Sequence, residues 1–180
     1  LHHLHTYITE SDDEQLIDKA AKLATTIEAQ NLQDNRFSQA YQYINMGNEE
    51  QGIEAAREFI KTNPSVWNAW FLLGWGLRRI HRYAEAAEAF EKSADLNDEQ
   101  PDTFNELAIC YMEIDEMGKA HKALQKALSL EPENTKIISN MGILALKTGQ
   151  NDHARGFFET VLDYDPDDAI AAAYLEHLKK

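Results

Sequence analysis

Residues 67–100, WNAWFLLGWGLRRIHRYAEAAEAFEKSADLNDEQ, decide the fold. In the first half, Trp67, Trp70, Leu73, Gly74 and Leu77 recur at steps of three or four, as one side of a helix requires. In the second half Ala86, Phe90 and Ala94 do the same. His81-Arg82-Tyr83 lies between the two stripes and reads as a turn. The stretch is therefore helix, turn, helix in 34 residues.

The same period runs outward in both directions. Gly52, Ala86, Ala120 and Ala154 advance by 34 at every step, as do Ala40, Gly74, Ala108 and Gly142. Pro64, Pro132 and Pro166 lie 68 and 34 residues apart. Three series in one register without an insertion predict stacked helical hairpins in units 33–66, 67–100, 101–134 and 135–168. The small residues let antiparallel helices approach closely. Gly47-Asn48, Asp115-Glu116 and Gly149-Gln150 repeat the turn. Proline ends a helix and turns the chain into the next unit. Asp98 stands where unit 67–100 lacks its proline, and Pro101 is expected to open the following helix instead.

These residues resemble the tetratricopeptide repeat, a Trp-like residue, Leu-Gly and Tyr in one helix followed by Ala, Phe, Ala and Pro in the next. Trp70, Leu73, Gly74, Leu77, Ala86, Phe90 and Ala94 carry the likeness in one unit. Phe104, Leu107, Ala108, Tyr111, Ala120, Leu124, Ala127 and Pro132 carry it in the next. Ile138, Met141, Gly142, Ala145, Ala154, Phe158, Val161 and Pro166 carry it in the last, whereas Arg36 and Gln39 make the first unit degenerate. The resemblance implies an all-α fold, a right-handed superhelical solenoid of antiparallel helix pairs with four repeats and terminal caps. At the C-terminus, 169–180 is expected to form a capping helix presenting Ile170, Tyr174 and Leu178. At the other end, Ser11 with Glu14 signals a helix start, and Leu16, Ala20, Leu23 and Ile27 give 11–32 an amphipathic pattern. That segment reads as a cap or as half of an unrecognised repeat. Residues 1–10 read as a disordered or added terminus.

The resemblance also implies that the first helix of each unit lines a concave groove. Its positions in this sequence include Phe37 and Tyr41, then Asn68, Phe71, Trp75, Arg78 and Arg79. Further along come Asn105, Ile109 and Met112, then Ser139 and Ile143. Phe37, Tyr41, Phe71 and Trp75 are not explained by the core pattern, so either a ligand covers them or the chain's own N-terminal helix does. Arg78 and Arg79 are candidates to pair a partner's carboxylate, or else bridge to nearby Glu residues. A carboxylate clamp for peptide C-termini is not expected. Its places hold Phe37, Tyr41 and Leu72, then Asp102 and Glu106, whose charges would repel the terminus.

Composition narrows the partners. A net charge of −14 disfavours nucleic acid and anionic membranes, which need clustered Lys and Arg. No apolar run approaches the roughly 18 to 20 residues that cross a bilayer. Cys110 is the only cysteine, so no internal disulfide forms, and a cytoplasmic setting is the expectation. His2, His3 and His5 cluster at the terminus, where a native metal site is not expected, and the remaining histidines are scattered. The run Asp163–Asp168 lacks the Gly and closing Glu of a calcium loop. No phosphate-binding Gly-rich loop or nucleophile elbow is present, so no enzyme activity, cofactor or metal is expected.

The function expected is a protein–protein interaction scaffold or assembly chaperone. Its ligand is a protein or peptide with apolar anchors and an acidic group, held in the groove. Two alternatives stand beside it: a regulatory or substrate-docking module of a larger enzyme, and a structural solenoid that self-associates.

Overall fold

The structure is a computed structural model and describes residues 36–178. The expectations for the terminal histidines, for 1–10 and for the helix in 11–32 lie outside the described residues.

Nine helices and no strand occur among the described residues. They are α1 (36–45), α2 (Glu49–Thr62), α3 (Trp67–Arg79), α4 (Tyr83–Leu96), α5 (Pro101–Glu113), α6 (Met117–Leu130), α7 (Thr135–Lys147), α8 (Asn151–Tyr164) and α9 (Ala169–Leu178). They pair antiparallel as α1/α2, α3/α4, α5/α6 and α7/α8, and α9 packs on α8. The first helices α3, α5 and α7 also stack on one another, and the whole winds as a right-handed superhelical solenoid. One apolar core threads from Ala40 and Ile44 through Phe90 and Leu124 to Leu144, and a second, around Phe158, closes the C-terminal end.

Each hairpin turn needs one left-handed residue. Gly47, His81, Asp115 and Gly149 occupy that place with φ of 81°, 61°, 61° and 73°. The next amide then donates back to the carbonyl five residues earlier, on Tyr43, Leu77, Tyr111 and Ala145, at 2.8–2.9 Å. These bonds satisfy carbonyls that the helix end would otherwise leave free. Left-handed backbone costs an L-residue about 1–2 kcal/mol, which glycine escapes at a smaller entropic cost. Asp115→Gly is therefore expected to stabilise the chain by about 0.5–1 kcal/mol, read as a rise in urea midpoint at unchanged slope.

The small residues follow a size rule. A Cβ added to Gly74 would lie 2.9 Å from the Phe90 ring, and one on Gly142 would lie 2.8 Å from Phe158. In the corresponding places of the other units Ala40 goes with Ala56, and Ala108 with Leu124. All eight positions are buried. The first-helix residue is glycine only where the second helix brings a phenylalanine, which keeps the interhelical space filled.

Unit boundaries are capped locally. Pro101 takes the first position of α5, where its missing donor costs nothing. The side chain of Asn134 accepts from the amides of Lys136 and Ile137 at the start of α7. Asp168 accepts from the Ala171 amide at 2.7 Å, so the acidic run before α9 includes a helix cap. The closing face of α9 differs from expectation. Ala171, Tyr174, Leu175 and Leu178 meet the last unit, and Tyr174 stacks on Phe158 at 4.7 Å between ring centres. Ile170 is 62% exposed, because the buried stripe follows steps of three, four and seven from Ala171 and leaves Ile170 on the other side.

Candidate functional site

Phe37 and Tyr41 on α1, Asn68, Phe71 and Trp75 on α3, and Asp102 and Thr103 on α5 converge on a recess of about 230 Å3. Helical spacing explains the convergence. Phe71 and Trp75 are one turn apart, as are Phe37 and Tyr41, so both pairs face the same space once α1 and α3 stand side by side.

The aromatic wall divides into a rooted part and an open part. Phe37 tilts against Phe59 with ring centres 5.9 Å apart, and Phe71 meets Phe90 edge-on at 5.4 Å. These two rings are anchored in the core. Tyr41 stacks beside Trp75 at 6.0 Å and 28°, and Tyr41 remains 49% exposed. The Arg79 guanidinium lies 5.6 Å from the centre of the Trp75 ring and pairs with Glu49 at 2.8 Å. The result is a tyrosine, tryptophan, arginine, glutamate ladder along the α1/α3 seam. Its last member is held below the ordinary carboxylate range first by its own backbone N–H and then by Arg79.

Two polar atoms in the recess lack a partner. The side-chain oxygen of Asn68 and the hydroxyl of Thr103 are buried and make no hydrogen bond among the described residues. Buried polar groups are nearly always paired, since leaving one unpaired costs roughly 1–3 kcal/mol. Both atoms lie behind the surface of the recess, so a ligand resting in it reaches neither without a side-chain movement. Larger hollows, of about 940, 890, 500 and 390 Å3, lie elsewhere, and none of them is lined by such an atom.

Arg78 turns away from this arrangement. Its Nε lies 2.5 Å from Oε2 of Glu106 on the next unit, but neither atom has a well-directed hydrogen bond. Burial pushes the Glu106 carboxyl above its ordinary value, outweighing the attraction of Arg78. A carboxyl raised on folding contributes stability that is complete below pH 4.5 and is lost as pH climbs through its raised pKa. Glu106→Gln removes that contribution. Urea unfolding across pH 4 to 8 is expected to show the variant gaining on the wild type as pH rises.

The other expected groove residues are placed differently. Asn105 and Met112 are 7% and 3% exposed, so a ligand in the groove does not reach their side chains. Asn105 accepts instead from the Asn140 side chain at 2.7 Å, tying α5 to α7. Ile109 and Ile143 are half-buried against the core, and Ser139 is half-buried beside them on α7. Thr103 was not among the expected residues. A threonine within a helix carries no sign that the tertiary packing will bury its hydroxyl. Among the described residues no cluster of His, Cys, Asp or Glu could hold a metal, and no helix is long and apolar enough to cross a membrane.

With this geometry in place, the comparisons with known proteins bear on the family. Residues 53–171 match the family model of the cytochrome c-type biogenesis protein H TPR domain. The chain is 25% identical to the cytochrome c-type biogenesis protein CycH of Pseudomonas aeruginosa over 154 residues, covering 74% of this chain and 38% of that one. It spans between 9% and 50% of the length of six curated relatives that it matches, this one included. Among solved structures, MamA superposes with a TM-score of 0.71 at 22% identity, over 84% of this chain and 88% of that one. The first TPR of Spaghetti (RPAP3), solved with the HSP90 peptide SRMEEVD, gives 0.60 at 20% identity, over 63% and 90%. These last two likenesses concern the fold. The chain is a TPR-type protein–protein interaction scaffold and belongs to the family of the cytochrome c-type biogenesis protein H TPR domain.

Proposed function

We propose that the concave recess between α1, α3 and α5 holds a segment of a partner protein, and that the chain serves as a holding module in protein assembly without performing chemistry. The observation that carries this reading is the open Tyr41–Trp75 stack, in which Tyr41 is 49% exposed beside the rooted rings of Phe37 and Phe71. A segment bringing an apolar anchor to the rings would bury aromatic area that the fold leaves open. Arg79 offers the same ligand a cation, shared with Glu49, for an acidic side chain. The family suggests cytochrome c-type biogenesis as the assembly in question, and the peptide carried by the RPAP3 repeat is a precedent for the mode of holding.

A photo-crosslinking phenylalanine analogue at Tyr41 tests the site. Its control replaces Tyr164, which is similarly exposed at 52% but lies at the end of α8. Cells of the source organism are expected to yield one dominant adduct through position 41 and none through 164. Equal capture at both places would overturn the groove assignment.

A further inference from the structure

The opposite side of the solenoid carries a second hollow of about 940 Å3 between α6 and α8, floored by α7. Met117, Met141, Leu144 and Phe157 give it an apolar bed, and His121 and Lys122 of α6 face Asp152 and His153 of α8 across it. Comparison with the other units shows how it arises. Gly156 stands where they carry Glu54, Glu88 and Lys122, so the fourth unit lacks the long side chain that the other three present at this place. A Cβ on Gly156 or on Gly118 would meet nothing within 4 Å, so neither glycine has a packing reason inside the chain. Between α2 and α4 the Arg57–Glu85 pair spans the same interval at 3.4 Å. Among the described residues no ion pair links α6 to α8.

Charge selects the occupant. In a chain of net charge −14, α6 carries Lys119, Lys122 and Lys126 with His121 and no acidic residue. Lys119 and Lys126 are occupied, by Glu116 and Asp98 and by the faces of Tyr111 and Phe104. Lys122 enters no such pair among the described residues and lines the hollow. Asp152 on the far rim lies in the first turn of α8, where its charge complements the helix N-terminus. The geometry points to a second docking surface, distinct from the concave recess, that takes an amphipathic helix of a partner protein with its apolar face on the methionines and its carboxylates toward Lys122.

The probe is a synthetic helical peptide with leucines on one face and glutamates on the other, compared with the same peptide carrying lysines. Amide shifts of 15N-labelled chain locate it, and fluorescence anisotropy gives its affinity. The acidic peptide is expected to move Gly118 and Gly156 and to bind at least tenfold tighter than the basic one. Lys122→Glu is expected to abolish that preference. Gly156→Gln, which adds a long side chain in open space and raises helix propensity, is expected to block binding without lowering the melting temperature. Trp75→Ala is expected to leave it unchanged, which separates this surface from the concave one. Equal binding of both peptides, or shifts confined to Asn68, Phe71 and Trp75, would overturn the proposal. So would concentration-dependent shifts of Gly118 and Gly156 without peptide, which would assign the face to a second copy of the chain.

Discussion

Gly74→Ala is expected to destabilise the solenoid by about 1–3 kcal/mol, although alanine is the better helix former by up to ~1 kcal/mol. The added methyl lands 2.9 Å from two atoms of the Phe90 ring. That ring is fully buried and meets Phe71 edge-on, so it cannot yield as the end of a flexible side chain would. The helices must part, and a solenoid transmits such a change to its neighbours because each unit is held by the next. Gly74→Ala with Phe90→Leu reproduces the Ala108–Leu124 combination of the following unit. The double variant is expected to be more stable than the sum of the two single losses predicts, by roughly 0.5–2 kcal/mol in a double-mutant cycle from urea denaturation. Simple additivity would show that the size rule is coincidental.

Trp75→Ala is expected to weaken binding of the partner captured through Tyr41 by about 2 kcal/mol or more, roughly thirtyfold. Trp75 is the centre of the ladder, with the Tyr41 ring 6.0 Å and the Arg79 guanidinium 5.6 Å from its own ring centre. Removing it takes away apolar area and the surface that orients both neighbours. The ring is only half-buried, so the fold survives its loss better than the loss of Phe90. Isothermal titration of the identified segment, with thermal melts of both proteins, separates lost contact from lost folding. Trp75→Phe is expected to recover part of the affinity. An unchanged dissociation constant for Trp75→Ala in a folded protein would remove the recess from the binding surface.

Legibility differed between frame and site. The aromatic half of the recess was readable because Phe37, Tyr41, Phe71 and Trp75 fall on the side of their helices that the core pattern leaves over. Arg78 and Arg79 were not readable as a pair. Adjacent on a helix, they point about 100° apart, so one reaches forward to Glu106 and the other back to Glu49. The lysine-bearing hollow between α6 and α8 was likewise hidden, since Gly156 draws attention only when set against the same place in the other three units.

The sequence by itself determined the helices, their pairing and their period, because those depend on spacing along one chain: stripes at three and four residues, small residues every 34, and turns that tolerate left-handed backbone. Tertiary structure alone decided which polar atoms are starved and which charges are answered. The Thr103 hydroxyl is buried in a recess shared with residues of other units, and Arg78 and Glu106 meet across a unit boundary, 28 residues apart. Burial and ion pairing depend on distances between units, and no spacing within one helix encodes those.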